Sequence, residues 1–198
     1  MPDTLQTALT ALARRSGPDL AWFADRMDGL AAAPAARPNL HPVVPTIADR
    51  TPPGTALTQP VIDALLSCAD ALPWTQSYTT EDSGFDQHYL DNYAFLNLVS
   101  PIGLYVSDDI RVTLGFWGEG LAYPTHAHAP EEWYVMLAGS CVLHSESRAP
   151  RPCGPGDVVH HAPWQKHRAE FTPGPLLAAA FWRGAGLMNK STFYPEAP

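Results

Sequence analysis

The sequence predicts a mainly β fold, an antiparallel barrel or sandwich, preceded by an α-helical N-terminal extension. Three observations predict it. From Tyr93 onward the chain breaks into the short segments YAFLNLV, IRVTLGFW, EEWYVMLAG, CVLHS, DVVHHA and PLLAAAFW. These are rich in β-branched and aromatic residues and are parted by Gly, Pro, Asp and Ser. Before residue 34 the apolar residues recur at helical spacing instead. Between the two textures lies a proline-dense stretch that suits neither regular helix nor central strand.

Taken in chain order, Leu5, Ala8, Leu9 and Leu12 mark one amphipathic helix. After the Gly17-Pro18 break, Leu20, Phe23, Ala24 and Met27 mark a second. Pro34, Pro38, Pro42, Pro45, Pro52, Pro53 and Pro60 then lock φ and remove N–H donors, which predicts an extended connector over residues 34–60. A third helix is expected from Val61 to about Leu72, with Thr58 as its cap, Pro60 in its first turn and Pro73 as its stop. The expected organisation is a helical region and connector over 1–92 and the barrel over 93–198.

Composition narrows the function classes. Of 198 residues, 45% are hydrophobic and 16% charged, which describes a globular chain and not a charged disordered one. Lys+Arg 12 against Asp+Glu 20 gives a net charge of −8, which argues against nucleic acid or an anionic membrane as partner. No run approaches the roughly 18–20 apolar residues of a membrane span. Cys68, Cys141 and Cys153 are odd in number and unrelated in spacing, so neither a disulfide framework nor a zinc–thiolate site is expected. The start, MPDTLQTALTALARRSG, lacks a basic region followed by an apolar one. The expectation is a cytoplasmic protein, monomer or homodimer, with a small-molecule substrate.

The chemistry concentrates in Tyr123-Pro124-Thr125-His126-Ala127-His128-Ala129-Pro130-Glu131-Glu132-Trp133-Tyr134. Residues two apart on a strand share a face, so His126 and His128 can converge. Glu132 and Tyr134 have the same parity and join them if the strand resumes in register after Pro130. A helix would also bring His128 and Glu132 together, but Pro130 lies between them. Two imidazoles and a carboxylate facing inward suit Fe(II), Mn(II), Ni(II), Cu(II) or Zn(II). A further ligand is expected in His167, beyond the Pro155-Gly156-Asp157 turn and the Pro163 bend. His160 and His161 alternate faces, so either can support a ligand or face solvent. Glu131 and Glu132 are neighbours on a strand and therefore do not form a glycosidase pair. His41, His88 and His144 have no partner visible in sequence.

These strings resemble the cupin superfamily, whose fold is a double-stranded β-helix barrel. Gly120, five residues, His126-Ala127-His128, three residues, Glu132, six residues and Gly139 fit its first motif. Gly156-Asp157, Pro163 and His167 fit the second, with the usual later Asn absent. More narrowly, the string Tyr123-x-x-His126-x-His128-x-x-x-Glu132-x-Tyr134 resembles the cupin-type dimethylsulfoniopropionate (DMSP) lyases of the DddQ type, as do the chain length and the PIGLYVSDDIRVTLGFW run.

The resemblance implies one divalent transition metal ion (Fe, Zn or Mn) on His128, Glu132 and His167. Tyr134 would lie on or beside the metal, and His126 would be a further ligand or close neighbour. It implies β-elimination of DMSP to acrylate and dimethyl sulfide, which needs a base at the α-carbon, stabilisation of enolate-like charge and a site for the sulfonium. A metal holding the carboxylate acts as Lewis acid. A phenol beside a metal cation ionises far more readily than its usual pKa of about 10 suggests. Tyr134 is the expected base, with Tyr123 as rival base or substrate-orienting partner. An aromatic face can hold the sulfonium, and Trp182 is the first candidate, ahead of Phe116 and Trp117. An iron cupin dioxygenase or isomerase acting on another small carboxylate, and a non-catalytic small-molecule-binding cupin, remain open as alternatives.

Overall fold

The computed structural model describes residues 2–34 and 36–194; residues 1, 35 and 195–198, which the expected segments include, lie outside it. The two N-terminal helices form as their periodicity predicts, α1 over Pro2–Arg15 and α2 over Pro18–Met27. The connector departs from expectation. It contains a 3-10 turn at Val44–Thr46 and a short helix α3 at Ile47–Arg50. The physical reason is local. Pro45 occupies the start of the turn, where a missing N–H costs nothing, and Val44 and Ile47 are buried.

Helix α4 spans Gln59–Leu66, earlier and shorter than predicted, and a separate 3-10 turn at Ala69–Ala71 precedes Pro73. Thr58 does not cap it. The hydroxyl accepts a hydrogen bond from the Thr55 N–H at 2.9 Å and closes the preceding turn instead. Helix α5 spans Gln87–Asp91 and is capped by Asp86, whose carboxylate accepts from the Tyr89 N–H.

Every segment predicted as strand forms one. The strands are β1 (Tyr93–Ser100), β2 (Tyr105–Val106), β3 (Ile110–Trp117), β4 (Ala122–Ala127), β5 (Glu131–Gly139), β6 (Cys141–Ser145), β7 (Arg151–Cys153), β8 (Val158–His161), β9 (His167–Glu170), β10 (Leu176–Arg183) and β11 (Thr192–Phe193). They build two sheets, one in the order β2-β1-β3-β10-β5-β8 and the other β11-β4-β9-β6-β7. All pairings are antiparallel except β1 with β2.

The larger sheet is buried on both faces, which is why its strands read as nearly unbroken apolar runs. Ala94, Leu96 and Leu98, Val112, Leu114 and Phe116, Trp133, Val135 and Leu137, and Leu177, Ala179 and Phe181 pack in one core with Leu5, Leu9, Phe23 and Met27 of the helices. Phe23 anchors this layer, edge-on to Trp133 and to Phe181 at centroid distances of 5.5 Å. The alternate residues, among them Tyr93, Trp117, Tyr134, Met136 and Ala180, face the second sheet and pack with Tyr123, Leu143 and Ala169. Gly139 shows why the motif ends in glycine. At φ +79° it turns β5 into β6, and a Cβ there would lie 1.7 Å from the Pro175 carbonyl oxygen.

Candidate functional site

The site lies between the sheets, where strand register sets side chains in rows. On the larger sheet Arg111 (β3) stands opposite Trp182 (β10), Trp182 opposite Glu132 (β5), and Glu132 opposite His161 (β8). On the smaller sheet His126 (β4) stands opposite His167 (β9), and His167 opposite Ser145 (β6). His128 follows the end of β4 and is 3% exposed; His126, Glu132, His161 and His167 are equally withdrawn from water. The sequence-predicted group of His126, His128, Glu132 and His167 is thus brought together, and His161 joins it.

Three of the imidazoles are held in one tautomer. His126 Nδ1 lies 2.8 Å from the Pro124 carbonyl oxygen, His128 Nδ1 2.9 Å from that of Pro130, and His167 Nδ1 2.8 Å from that of Gln165. A carbonyl can only accept, so each Nδ1 carries a proton, and each Nε2 is the atom turned inward, free to ligate an ion once it gives up any proton of its own. His128 Nε2 is 3.2 Å and His167 Nε2 3.3 Å from Glu132 Oε2. Ligand atoms of His126, His128 and His167 lie within 4.8 Å of one another, as do those of Glu132, His161 and His167. Nε2 of His161 and of His167 are buried without an aligned hydrogen-bond partner. Nε2 atoms converging on a carboxylate, with the buried nitrogens of His161 and His167 unsatisfied, fit a nitrogen/oxygen-ligated divalent ion that would take the place of the protons between them.

Glu132 is held on its other oxygen as well, where Oε1 accepts from the Trp182 indole N–H at 2.5 Å. Burial alone would raise the Glu132 carboxyl, but His128 and His167 beside it hold it well below the ordinary value. Burial would lower His128, and the Glu132 charge overrides it, so that imidazole is raised. Burial, then the charge on His167, pushes His126 well down and His161 down to about 3. Glu131 faces the other way and pairs with His160 and Arg183, each at 2.8 Å.

Beside the cluster opens a small cavity lined by Glu132, Tyr134, Tyr123, Tyr78, Arg111 and Trp182 among others. Tyr123 and Tyr78 share a short hydroxyl–hydroxyl bond. Burial pushes Tyr123 well above the ordinary phenol value and Tyr78 up to about 12. Tyr134 is raised by burial and then by the Glu132 charge. The Trp182 ring stacks on His128 at 4.2 Å and carries the Arg111 guanidinium over it at 5.1 Å. Phe116, a reserve candidate for the cavity wall, points instead into the helical layer, because its parity on β3 is opposite to that of Trp117. Sequence reasoning passed over Tyr78, Tyr93 and Arg111. Only Arg111 left a signal, a lone charge inside an apolar strand.

The fold is that of a cupin barrel. A cupin 2 barrel protein from Rhodopseudomonas palustris shares the fold at TM-score 0.50 over 64% of this chain and 80% of its own, at 14% identity. The chain belongs to the dimethylsulfoniopropionate lyase family, whose model matches residues 20–178, and it is by family a carbon–sulfur lyase. It is 30% identical to dimethylsulfoniopropionate lyase DddQ of Ruegeria pomeroyi over 90% of this chain and 88% of the relative. The crystal structure of that organism's DddQ superposes at TM-score 0.83, with 28% identity and 99% of both chains covered. A chain from the crystal structures of the DMSP lyases RdDddP and RnDddQII superposes at 0.87, with 27% identity, over 98% of this chain and all of the other. No described helix is long and apolar enough to cross a membrane.

Proposed function

We propose that this chain cleaves DMSP by metal-dependent β-elimination to acrylate and dimethyl sulfide. The observation that carries the reading is the tautomer-locked trio of His126, His128 and His167 closing on Glu132 at the edge of a cavity that also holds Tyr134 and Tyr123. A divalent transition ion (Fe, Zn or Mn) on those four residues supplies Lewis acidity to the developing carboxylate charge, and positive charge that lets Tyr134 ionise.

Tyr134 takes the α-proton of the substrate on its phenolate oxygen. The C–H electron pair becomes the new C=C bond, and the Cβ–S pair leaves with sulfur as neutral dimethyl sulfide. The proton then passes from the Tyr134 oxygen to water. Tyr123, held by Tyr78, orients the substrate, and the tyrosine-rich wall accommodates the sulfonium by cation–π attraction. We assign Trp182 to this site as the residue that holds Glu132 and closes the wall beside it. The three free cysteines are buried and fit a reducing compartment, in line with a cytoplasmic monomer or homodimer.

The test is headspace dimethyl sulfide from purified protein and DMSP, before and after chelation and metal re-addition, with Tyr134→Phe alongside. Metal-dependent release that the variant loses supports the reading. No release with any divalent metal refutes it, and oxygen uptake would then be screened.

A further inference from the structure

We propose that Arg111 is the carboxylate anchor of the cavity, so that a guanidinium on β3 selects small carboxylates and places the α-carbon for reaction. The proposal deepens the DMSP-lyase reading and rests on it for the identity of the substrate, but not for the presence of an anion site.

Arg111 is 8% exposed and lines the cavity together with Glu132 and Tyr134. Its Nε donates to Asn97 Oδ1 and its Nη1 to the Leu187 carbonyl oxygen, both at 3.0 Å. Both acceptors are neutral, and among the described residues no carboxylate lies within ion-pairing distance of the guanidinium. The other described arginines differ. Arg14, Arg50, Arg151, Arg168 and Arg183 each pair with a carboxylate, and Arg15, Arg26, Arg37 and Arg148 are exposed to water. Glu132 acts on this buried charge only from a distance, and the cavity beside the guanidinium is where an anion would supply a directly bonded counter-charge.

The geometry suits a carboxylate. Two of the five guanidinium N–H donors are used by Asn97 and Leu187, which fixes the plane and leaves donors for a forked pair of bonds. Glu132 is not that partner, because its two oxygens are taken by Trp182 and by the histidines. Removing a proton next to a carboxylate drives a second negative charge onto the carboxylate oxygens, and a preorganised guanidinium stabilises it without reorganisation. The same charge orients the substrate. It lies 5.1 Å from the Trp182 centroid and 5.5 Å from that of Phe95, and it repels a sulfonium from both rings.

The experiment uses the metal-loaded enzyme, with Arg111→Gln and Arg111→Lys beside the wild type. Metal content and melting temperature are measured for each. Acrylate binding is followed by quenching of tryptophan fluorescence, with acrylamide as the neutral isostere and its collisional quenching subtracted using a free-tryptophan control. We expect acrylate affinity to fall at least tenfold in Arg111→Gln and to recover in part in Arg111→Lys, whose charge remains but whose fork is lost. The KM for DMSP should rise by a similar factor. Should Arg111→Gln fail to fold, Arg111→Lys carries the test, since a strut that merely ties Asn97 to Leu187 would lower its melting point and leave acrylate affinity unchanged. Unchanged acrylate affinity in a folded, metal-replete variant overturns the proposal. A wild type that binds acrylate through Arg111 but releases no dimethyl sulfide would refute the lyase reading and leave the anion site standing.

Discussion

The imidazoles of His161 and His167 lie face to face, centroids 3.9 Å apart and planes within 9°. His161 Nδ1 reaches the Ser145 hydroxyl at 3.4 Å, so β6 and β8 together fix the ring that supports His167. Such supports set the orientation of a ligand, and losing one typically costs 10–100-fold in metal affinity. His161→Leu is therefore expected to lower zinc or manganese affinity by at least about tenfold. Competition against a chromophoric chelator measures it, and an unchanged constant in a folded variant would show that His161 only fills space.

The same burial makes the metal-free protein sensitive to acid. His126 and His161 are neutral in the fold, with pKa values depressed below the ordinary 6.5. The unfolded chain binds protons that the folded chain refuses, so stability is present above about pH 6.5 and is lost as pH falls. The loss grows steadily as pH drops below 6.5, because each further proton is bound by the unfolded chain alone. Glu132, also depressed, adds to the loss below its ordinary 4.5. His128 is raised and works the other way, contributing stability at low pH that is lost as pH rises. Two depressed histidines outweigh one raised, so the melting temperature of chelated protein should fall between pH 7 and 5. A melting temperature flat across that window would contradict the sign.

Trp182 distinguishes holding a carboxylate from walling in a sulfonium. Its N–H sits on Glu132 Oε1, and its ring already carries His128 and Arg111. Trp182→Phe keeps an aromatic face and removes only the donor. A buried carboxylate left without a charge-assisted hydrogen bond loses about 1.5–3 kcal/mol of support. The expected result is a fall of about tenfold or more in metal affinity and kcat, with the KM for DMSP changed little. A rise in KM alone would return the indole to the substrate wall.

Much of this arrangement is readable in the chain, and for a physical reason. Where both faces of a sheet are buried, each strand appears as an apolar run, so β1, β3, β5 and β10 stand out, whereas β6 of the smaller sheet and β8 are marked by alternating burial and the turns around them. Where alternate residues face opposite layers, the even positions His126, His128, Glu132 and Tyr134 announce a shared side. His161 shares that side only because the Pro155-Gly156-Asp157 turn sets β8 against β5, Gly156 N–H on the Met136 carbonyl, and a two-histidine string does not reveal which one turns inward. Tyr78 reaches the cavity from irregular chain between Trp74 and Asp86, where no periodicity exists to read. Thr58 looks like a cap by type alone; the competing Thr55 turn takes its hydroxyl.

The helical layer bears on the site through the sheet it covers. Phe23 is fully buried, and it touches Trp133 and Phe181, whose strand neighbours Glu132 and Trp182 face the cavity. Because successive residues on a strand point to opposite faces, a void behind Trp133 and Phe181 loosens the backbone that carries Glu132 and Trp182. Phe23→Ala is expected to cost about 3–5 kcal/mol in chemical denaturation, the usual range for a large aromatic removed from a packed interior. It should also weaken metal binding without altering any residue of the site. Phe23→Leu, which keeps most of the volume, should restore both. If Phe23→Ala lowered stability by that amount while metal affinity stayed at the wild-type value, the two faces of the sheet would be mechanically independent, and the helices would serve only as cover.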